Sequence, residues 1–135
     1  MPWATNYFAS GAYTRFWGAT TGDDLVTANA EFHAQEYPDR PRFAVVDFTA
    51  TERFDVDRMD IQRIADRDIV AAHALADLVV AVIAPSLVTL GMSRMWEIQV
   101  WETGWRTKIA RSRPEAFAWL AEHGIQADRF DALPI

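Results

Sequence analysis

Leu78-Val79-Val80-Ala81-Val82-Ile83-Ala84 contains no polar residue, and Phe43-Ala44-Val45-Val46 is a shorter stretch of the same kind. Strands that are covered on both faces show such continuous apolar runs, whereas strands with one face in water alternate apolar and polar residues. The two stretches therefore predict central strands of a parallel sheet.

Helical segments precede, separate and follow these two strands. Apolar residues recur at helical spacing over residues 22–37, 56–75, 86–103 and 112–124. The last of these segments begins with Ser112, Pro114 and Glu115, which predict a capping box with proline in the first turn. We therefore expect four helices, of which the second and third each follow one of these two strands.

The N-terminal residues predict an antiparallel hairpin, with strands at 5–9 and 12–18 around the turn Ser10-Gly11. A last strand is expected at 105–110. The element order is then ββαβαβαβα, which is typical of an α/β fold with a mixed, mostly parallel open sheet and helices on both faces. One domain over residues 1–135 is expected, with 124–135 as its C-terminal tail. In such sheets ligands meet the loops after the strands, here 47–55 and 84–86.

Composition narrows the classes of function. The chain has 19 acidic and 13 basic residues and a formal charge of -6, which disfavours nucleic-acid binding. The apolar stretch 74–92 contains Asp77, Pro85 and Gly91, so no membrane span is predicted. With no cysteine, no disulfide or thiolate metal site is possible, and we expect a cytoplasmic setting.

Three stretches resemble the STAS/SpoIIAA-like family, whose fold is related to anti-sigma-factor antagonists. They are FAVVDFTA (43–50), VVAVIAPSLVTLGMSRMWE (79–97) and KIARSRPEAFAWL (108–120). With the element order, the resemblance extends over residues 5–123. It implies a SpoIIAA-like fold and a non-catalytic regulatory module that binds other proteins.

The resemblance also implies a phosphoacceptor serine at the start of the second helix. This chain reads Arg53-Phe54-Asp55-Val56-Asp57-Arg58 there, with carboxylates in place of hydroxyls. Phosphorylation of that kind is therefore not expected here.

The third helix is apolar around most of its circumference, which exceeds the stripe that one sheet face can cover. Met92, Met95, Trp96 and Trp101 are of the residue types that protein interfaces favour. The leading hypothesis is a homodimer, or a complex with another protein, formed through helix 86–103. The alternative is that the hairpin or residues 130–135 of the same chain cover this surface.

A second hypothesis is a binder or carrier of a small apolar or amphipathic ligand. Asp47, Thr49, Ser86 and Arg94 are its candidate binding residues, because they fall after central strands or on the helix that follows. The plainer interpretation is that Ser86 only caps the helix and that Arg94 pairs with Glu97.

A third hypothesis is an enzyme that uses the carboxylates of Asp47, Asp55 and Asp57. The plainer interpretation is that these carboxylates cap helices and accept hydrogen bonds from loop amides. The three histidines lack the spacing of a zinc site and no glycine-rich phosphate loop is present. No metal and no cofactor is predicted.

Overall fold

A five-stranded sheet with its strands in chain order, β1-β2-β3-β4-β5, organises the fold. The structure, a computed structural model, describes residues 1–133. The strands are β1 (Trp3–Phe8), β2 (Gly11–Thr21), β3 (Phe43–Asp55), β4 (Val79–Ile83) and β5 (Arg106–Ala110). The helices are α1 (Gly22–Ala34), α2 (Arg58–Ala71), α3 (Leu87–Gln99) and α4 (Arg113–Glu122), with short 3₁₀ turns at Trp101–Thr103 and Ala127–Phe130.

The predicted element order and fold class are confirmed. β1 and β2 pair antiparallel as a hairpin, and the pairs β2/β3, β3/β4 and β4/β5 are parallel. Each of α1, α2 and α3 therefore connects two neighbouring parallel strands.

The sheet is covered on both faces, as the continuous apolar runs predict. On β4, Val80 and Val82 belong to the core beneath α1, α2 and α3. Val79, Ala81 and Ile83 belong to a second core beneath α4. Every residue of β4 is thus buried, which is why the sequence shows no polar alternation there.

The helices begin at side-chain caps. Ser86 and Thr89 form a complete capping box at α3. At α4 only half of the predicted box forms, because Ser112 accepts from the Glu115 backbone while the Glu115 carboxylate accepts from the amide of Arg111. The Glu115 side chain therefore stabilises the loop that precedes α4 and does not contribute to the helix cap.

The strand β3 is longer than the sequence predicts. Residues 47–55 were expected to form a loop, but they continue the strand to Asp55 and pair with the end of β2. Phe48 and Phe54 meet edge to face with their ring centres 5.2 Å apart, in the core beneath the helices. The prediction of a binding loop at 47–55 is therefore wrong, because this segment is held by main-chain pairing.

The C-terminal segment packs on the α4 side of the sheet. Phe130 is 0% exposed and contacts the rings of Phe8, Tyr13 and Phe43. Up to residue 133 this segment therefore lies on the face opposite α3 and does not cover that helix. The remainder of the predicted tail, 134–135, lies outside the described residues. In residues 1–133, no helix is both long and apolar enough to cross a membrane.

Candidate functional site

A cavity of about 120 Å³ lies between the sheet and the layer formed by α1, α2 and α3. Its wall is apolar except at Thr14, Asn29, Asp68 and Ser93 and at the two tryptophan rings that line it. The apolar part comes from inward side chains of β2, β3 and β4 and of the three helices. An apolar wall with a few polar groups is the usual lining of a small-molecule site, and this volume suits a molecule smaller than a drug.

One corner of the cavity carries a buried carboxylate. Asp68 on α2 is 4% exposed and accepts three side-chain hydrogen bonds. Asn29 Nδ2 and His33 Nε2, both on α1, donate to Asp68 Oδ1 over 3.0 and 2.8 Å. Trp96 Nε1 on α3 donates to Asp68 Oδ2 over 2.8 Å. Asp68 thus joins the three helices that roof the cavity.

The amide of Asn29 has an unused acceptor. Its nitrogen must face Asp68, because a carboxylate accepts hydrogen bonds and a carbonyl oxygen cannot donate one. Asn29 Oδ1 is then enclosed by protein and has no hydrogen-bond partner among the described residues. Buried polar atoms without a partner are uncommon and call for an explanation.

The side chain of Asp47 is fully used within the chain. It is 1% exposed and lies on the α4 side of the sheet. Asp47 Oδ2 accepts from Tyr13 Oη at 2.5 Å and from Arg113 Nε at 2.8 Å. Asp47 Oδ1 accepts from the amide and the hydroxyl of Thr49. Asp47 therefore anchors the start of α4 to the sheet.

The pKa values in this cluster follow from its burial. The pKa of Tyr13 is raised above its ordinary value, first because burial disfavours the phenolate and then because Asp47 is negative. Burial alone would lower the pKa of Arg113, but the hydrogen bond and charge of Asp47 raise it overall. The cluster favours a neutral tyrosine between a carboxylate and a guanidinium, which is a stable structural arrangement.

The four predicted ligand residues lie outside the cavity. Asp47 and Thr49 bond to each other on the α4 side, while Ser86 caps α3. Arg94 is exposed and lies eight residues after Ser86, about 12 Å along the helix axis. None of the four lines the cavity, so their joint role in ligand binding stays a prediction. Glu97, the expected partner of Arg94, instead accepts from Thr107.

The three predicted catalytic carboxylates are also apart. Asp47 and Asp55 lie in the same extended strand, and their eight-residue separation corresponds to about 25 Å. Asp55 pairs with Arg53 and Asp57 caps α2. One substrate therefore cannot contact all three. In residues 1–133, no group of three histidine or acidic side chains is placed to hold a metal ion.

The predicted interface residues on α3 divide into two groups. Trp96 is 8% exposed and lies in the core, so its assignment to an interface is wrong. Met92 and Met95 pack against the same core, and Met92 lines the cavity with Trp96. Trp101, by contrast, is 80% exposed. It borders a surface groove with Ile69, Ala72, His73 and Ile98.

The sequence reasoning missed Asn29, His33 and Asp68. A signal was present, because Asp68 lies on the same helical stripe as Ile61, Ala65 and Ala72. A carboxylate on a core stripe needs buried donors, which is the kind of exception that indicates a site. Comparisons of this chain with protein-family models, curated proteins and solved structures found no match.

Proposed function

We propose that this protein binds a small, mainly apolar molecule in the cavity between the sheet and the helices α1, α2 and α3, as a carrier or sensor. The observation that carries this proposal is the cavity itself, about 120 Å³ in volume and lined mostly by apolar side chains. Interiors are normally packed to the density of organic crystals. An unfilled volume of this size is a cost that a bound molecule would remove.

The size of the cavity sets the size of the molecule. An apolar cavity of about 150 Å³ holds one benzene molecule, so this one accepts a single ring or a short branched chain. A ligand of six or seven non-hydrogen atoms gains at most about 9–10 kcal/mol, because each such atom contributes at most about 1.5 kcal/mol. Its Kd can therefore reach the sub-micromolar range but not the nanomolar one.

Thermal unfolding with toluene as the probe tests the proposal. A ligand at ten times its Kd stabilises the folded state by about 1.4 kcal/mol, which corresponds to roughly 5 °C in Tm for a domain of this length. Ala28→Leu should abolish this shift, because Ala28 is 5% exposed and lines the cavity. The same variant should raise Tm without ligand, since it fills an empty volume.

Ala34→Leu is the matched control. Ala34 is on the same helix but is exposed, so the variant should keep the toluene shift. The proposal is refuted by a wild-type chain whose Tm is unchanged by toluene, or by a shift that persists in Ala28→Leu.

A second proposal is self-association through the outer surface of α3 and the turn that follows. Trp101 and Ile98 are 80% and 74% exposed, and large apolar side chains at such exposure favour an interface. Arg94 and Glu102 are exposed and lie four residues to either side of Ile98. In an antiparallel pairing of two copies about Ile98, Arg94 on α3 would face the 3₁₀ turn that carries Glu102 of the partner subunit, and a two-fold interface makes this contact twice.

Light scattering tests this second proposal. We expect a mass of twice 15.3 kDa and a monomer for Trp101→Glu, whereas Trp17→Glu, at a 36% exposed tryptophan on β2, should remain a dimer. Arg94→Glu should weaken the dimer and Glu102→Arg should restore it in the double variant. A wild-type monomer at all concentrations refutes the proposal.

Membership of the STAS/SpoIIAA-like family stays a prediction that rests on the three sequence stretches. If the chain belongs to that family, ligand binding or self-association would serve regulation rather than catalysis. We also propose a cytoplasmic location, because the chain contains no cysteine and needs no oxidising compartment.

A further inference from the structure

We infer that the ligand of the cavity is an uncharged molecule with a hydroxyl group, such as a small phenol or alcohol, whose hydroxyl donates to Asn29 Oδ1. This inference rests on the proposed function and specifies the chemical class of the ligand. It follows from the polar corner of the cavity, which is formed by Asn29, His33, Asp68 and Trp96. Some hydrogen-bond donors and acceptors of this corner already have a partner, and others do not.

The corner has a surplus of acceptors. The polar hydrogens of His33 Nε2 and Trp96 Nε1 and one of those on Asn29 Nδ2 are directed to Asp68. Asn29 Oδ1 receives none. Asp68 Oδ2 accepts only from Trp96 among the described residues, although a carboxylate oxygen can accept more than one hydrogen bond. A molecule that brings a donor satisfies this corner.

The charge of the corner excludes the commonest apolar cargo. Fatty acids and aromatic acids carry a carboxylate, which would lie beside the buried carboxylate of Asp68 in a medium that screens poorly. No arginine or lysine lines the cavity among the residues described. The site therefore selects a neutral donor over an anion.

Three probes of similar size test this selection by calorimetry: phenol, toluene and benzoate. Phenol and toluene have the same shape and differ only in hydroxyl against methyl. We expect phenol to bind the wild-type chain at least as tightly as toluene, although its hydroxyl is harder to remove from water. Benzoate should bind at least about tenfold more weakly than phenol.

Asn29→Leu identifies the acceptor, because leucine has nearly the shape of asparagine but no polar atom. The variant should bind phenol about fivefold more weakly, the worth of one hydrogen bond, while its affinity for toluene stays within a factor of about two. Near-ultraviolet circular dichroism verifies that the variant is folded.

The outcomes separate the two claims. Binding of toluene with tenfold weaker binding of phenol overturns the hydroxyl inference and leaves the cavity proposal standing. Equal loss of phenol and toluene in Asn29→Leu overturns the role of Oδ1. Binding of neither probe to the wild-type chain refutes the proposed function itself.

Discussion

Replacement of Asp68 by alanine should remove the only buried polar junction that we find between α1, α2 and α3 in residues 1–133. Three donors would lose their acceptor at once. Trp96 lies in the core and cannot turn its indole N–H to water. We therefore assign a loss of stability of about 2 kcal/mol to this unsatisfied N–H. Asn29 and His33 are partly accessible and are assigned about 1 kcal/mol each.

The expected loss in the free energy of unfolding is thus about 4 kcal/mol, a large fraction of the 5–15 kcal/mol of a typical domain. With a urea slope of about 2 kcal/mol/M, the midpoint of unfolding falls by about 2 M. Tryptophan fluorescence reports the transition, because Trp96 itself changes environment. Near-ultraviolet circular dichroism before denaturant shows whether the variant is folded.

Asp66→Ala is the matched control, since Asp66 is exposed on the same helix and bonds only to the exposed Gln62 in the described part of the chain. It should cost less than about 0.5 kcal/mol. A midpoint shift for Asp68→Ala no larger than that of the control would refute the view that this carboxylate joins the helix layer.

Two further substitutions test other parts of the fold. Tyr13→Phe should cost about 1–2 kcal/mol, because Asp47 loses a buried donor. Since the Tyr13 pKa is raised from 10.0, its neutral form contributes stability that is present below that pH and is lost as the pH rises. The variant should therefore lose less stability in alkali than the wild type, and an identical alkaline profile would contradict the assignment. Gly22→Ala places a Cβ against the Asp60 carboxylate, which accepts from the backbone N–H of Asp57 and so completes the capping box of α2. We expect a net loss of about 1 kcal/mol in urea unfolding despite the helix preference of alanine; a gain would show that Asp60 moves aside without cost.

The sequence was sufficient for the order of the elements and for the two faces of the sheet. The run 78–84 is apolar at every position, and only a strand covered on both sides needs that. The hairpin and the cap at Ser86 depend on neighbouring residues, so local spacing predicts them. These features need no knowledge of distant contacts.

The end of β3 was not predictable in the same way. Residues 49–55 are mostly polar and look like a loop, and they form a strand because the end of β2 supplies their hydrogen bonds. Main-chain pairing between distant segments requires no characteristic side-chain pattern, so a polar sequence does not reveal it. The assignment of Trp96 was wrong for a related reason, since on a helix that is apolar all round the spacing does not show which side faces the core.

The candidate site was missed because it depends on three helices meeting. Asn29 and His33 lie 39 and 35 residues before Asp68, and each alone reads as an ordinary polar residue of a helix. Only the carboxylate on the apolar stripe of α2 indicated that donors must come from elsewhere.

The strand order has a consequence for how this protein could change its specificity over time. In doubly wound sheets the order of strands reverses, and ligands bind at that reversal, in loops that vary without disturbing the core. Here the order runs from β1 to β5 without reversal, and the cavity lies between layers whose side chains also form the hydrophobic core. A substitution that alters the accepted ligand thus also alters packing, so new specificities arise only in variants with stability to spare.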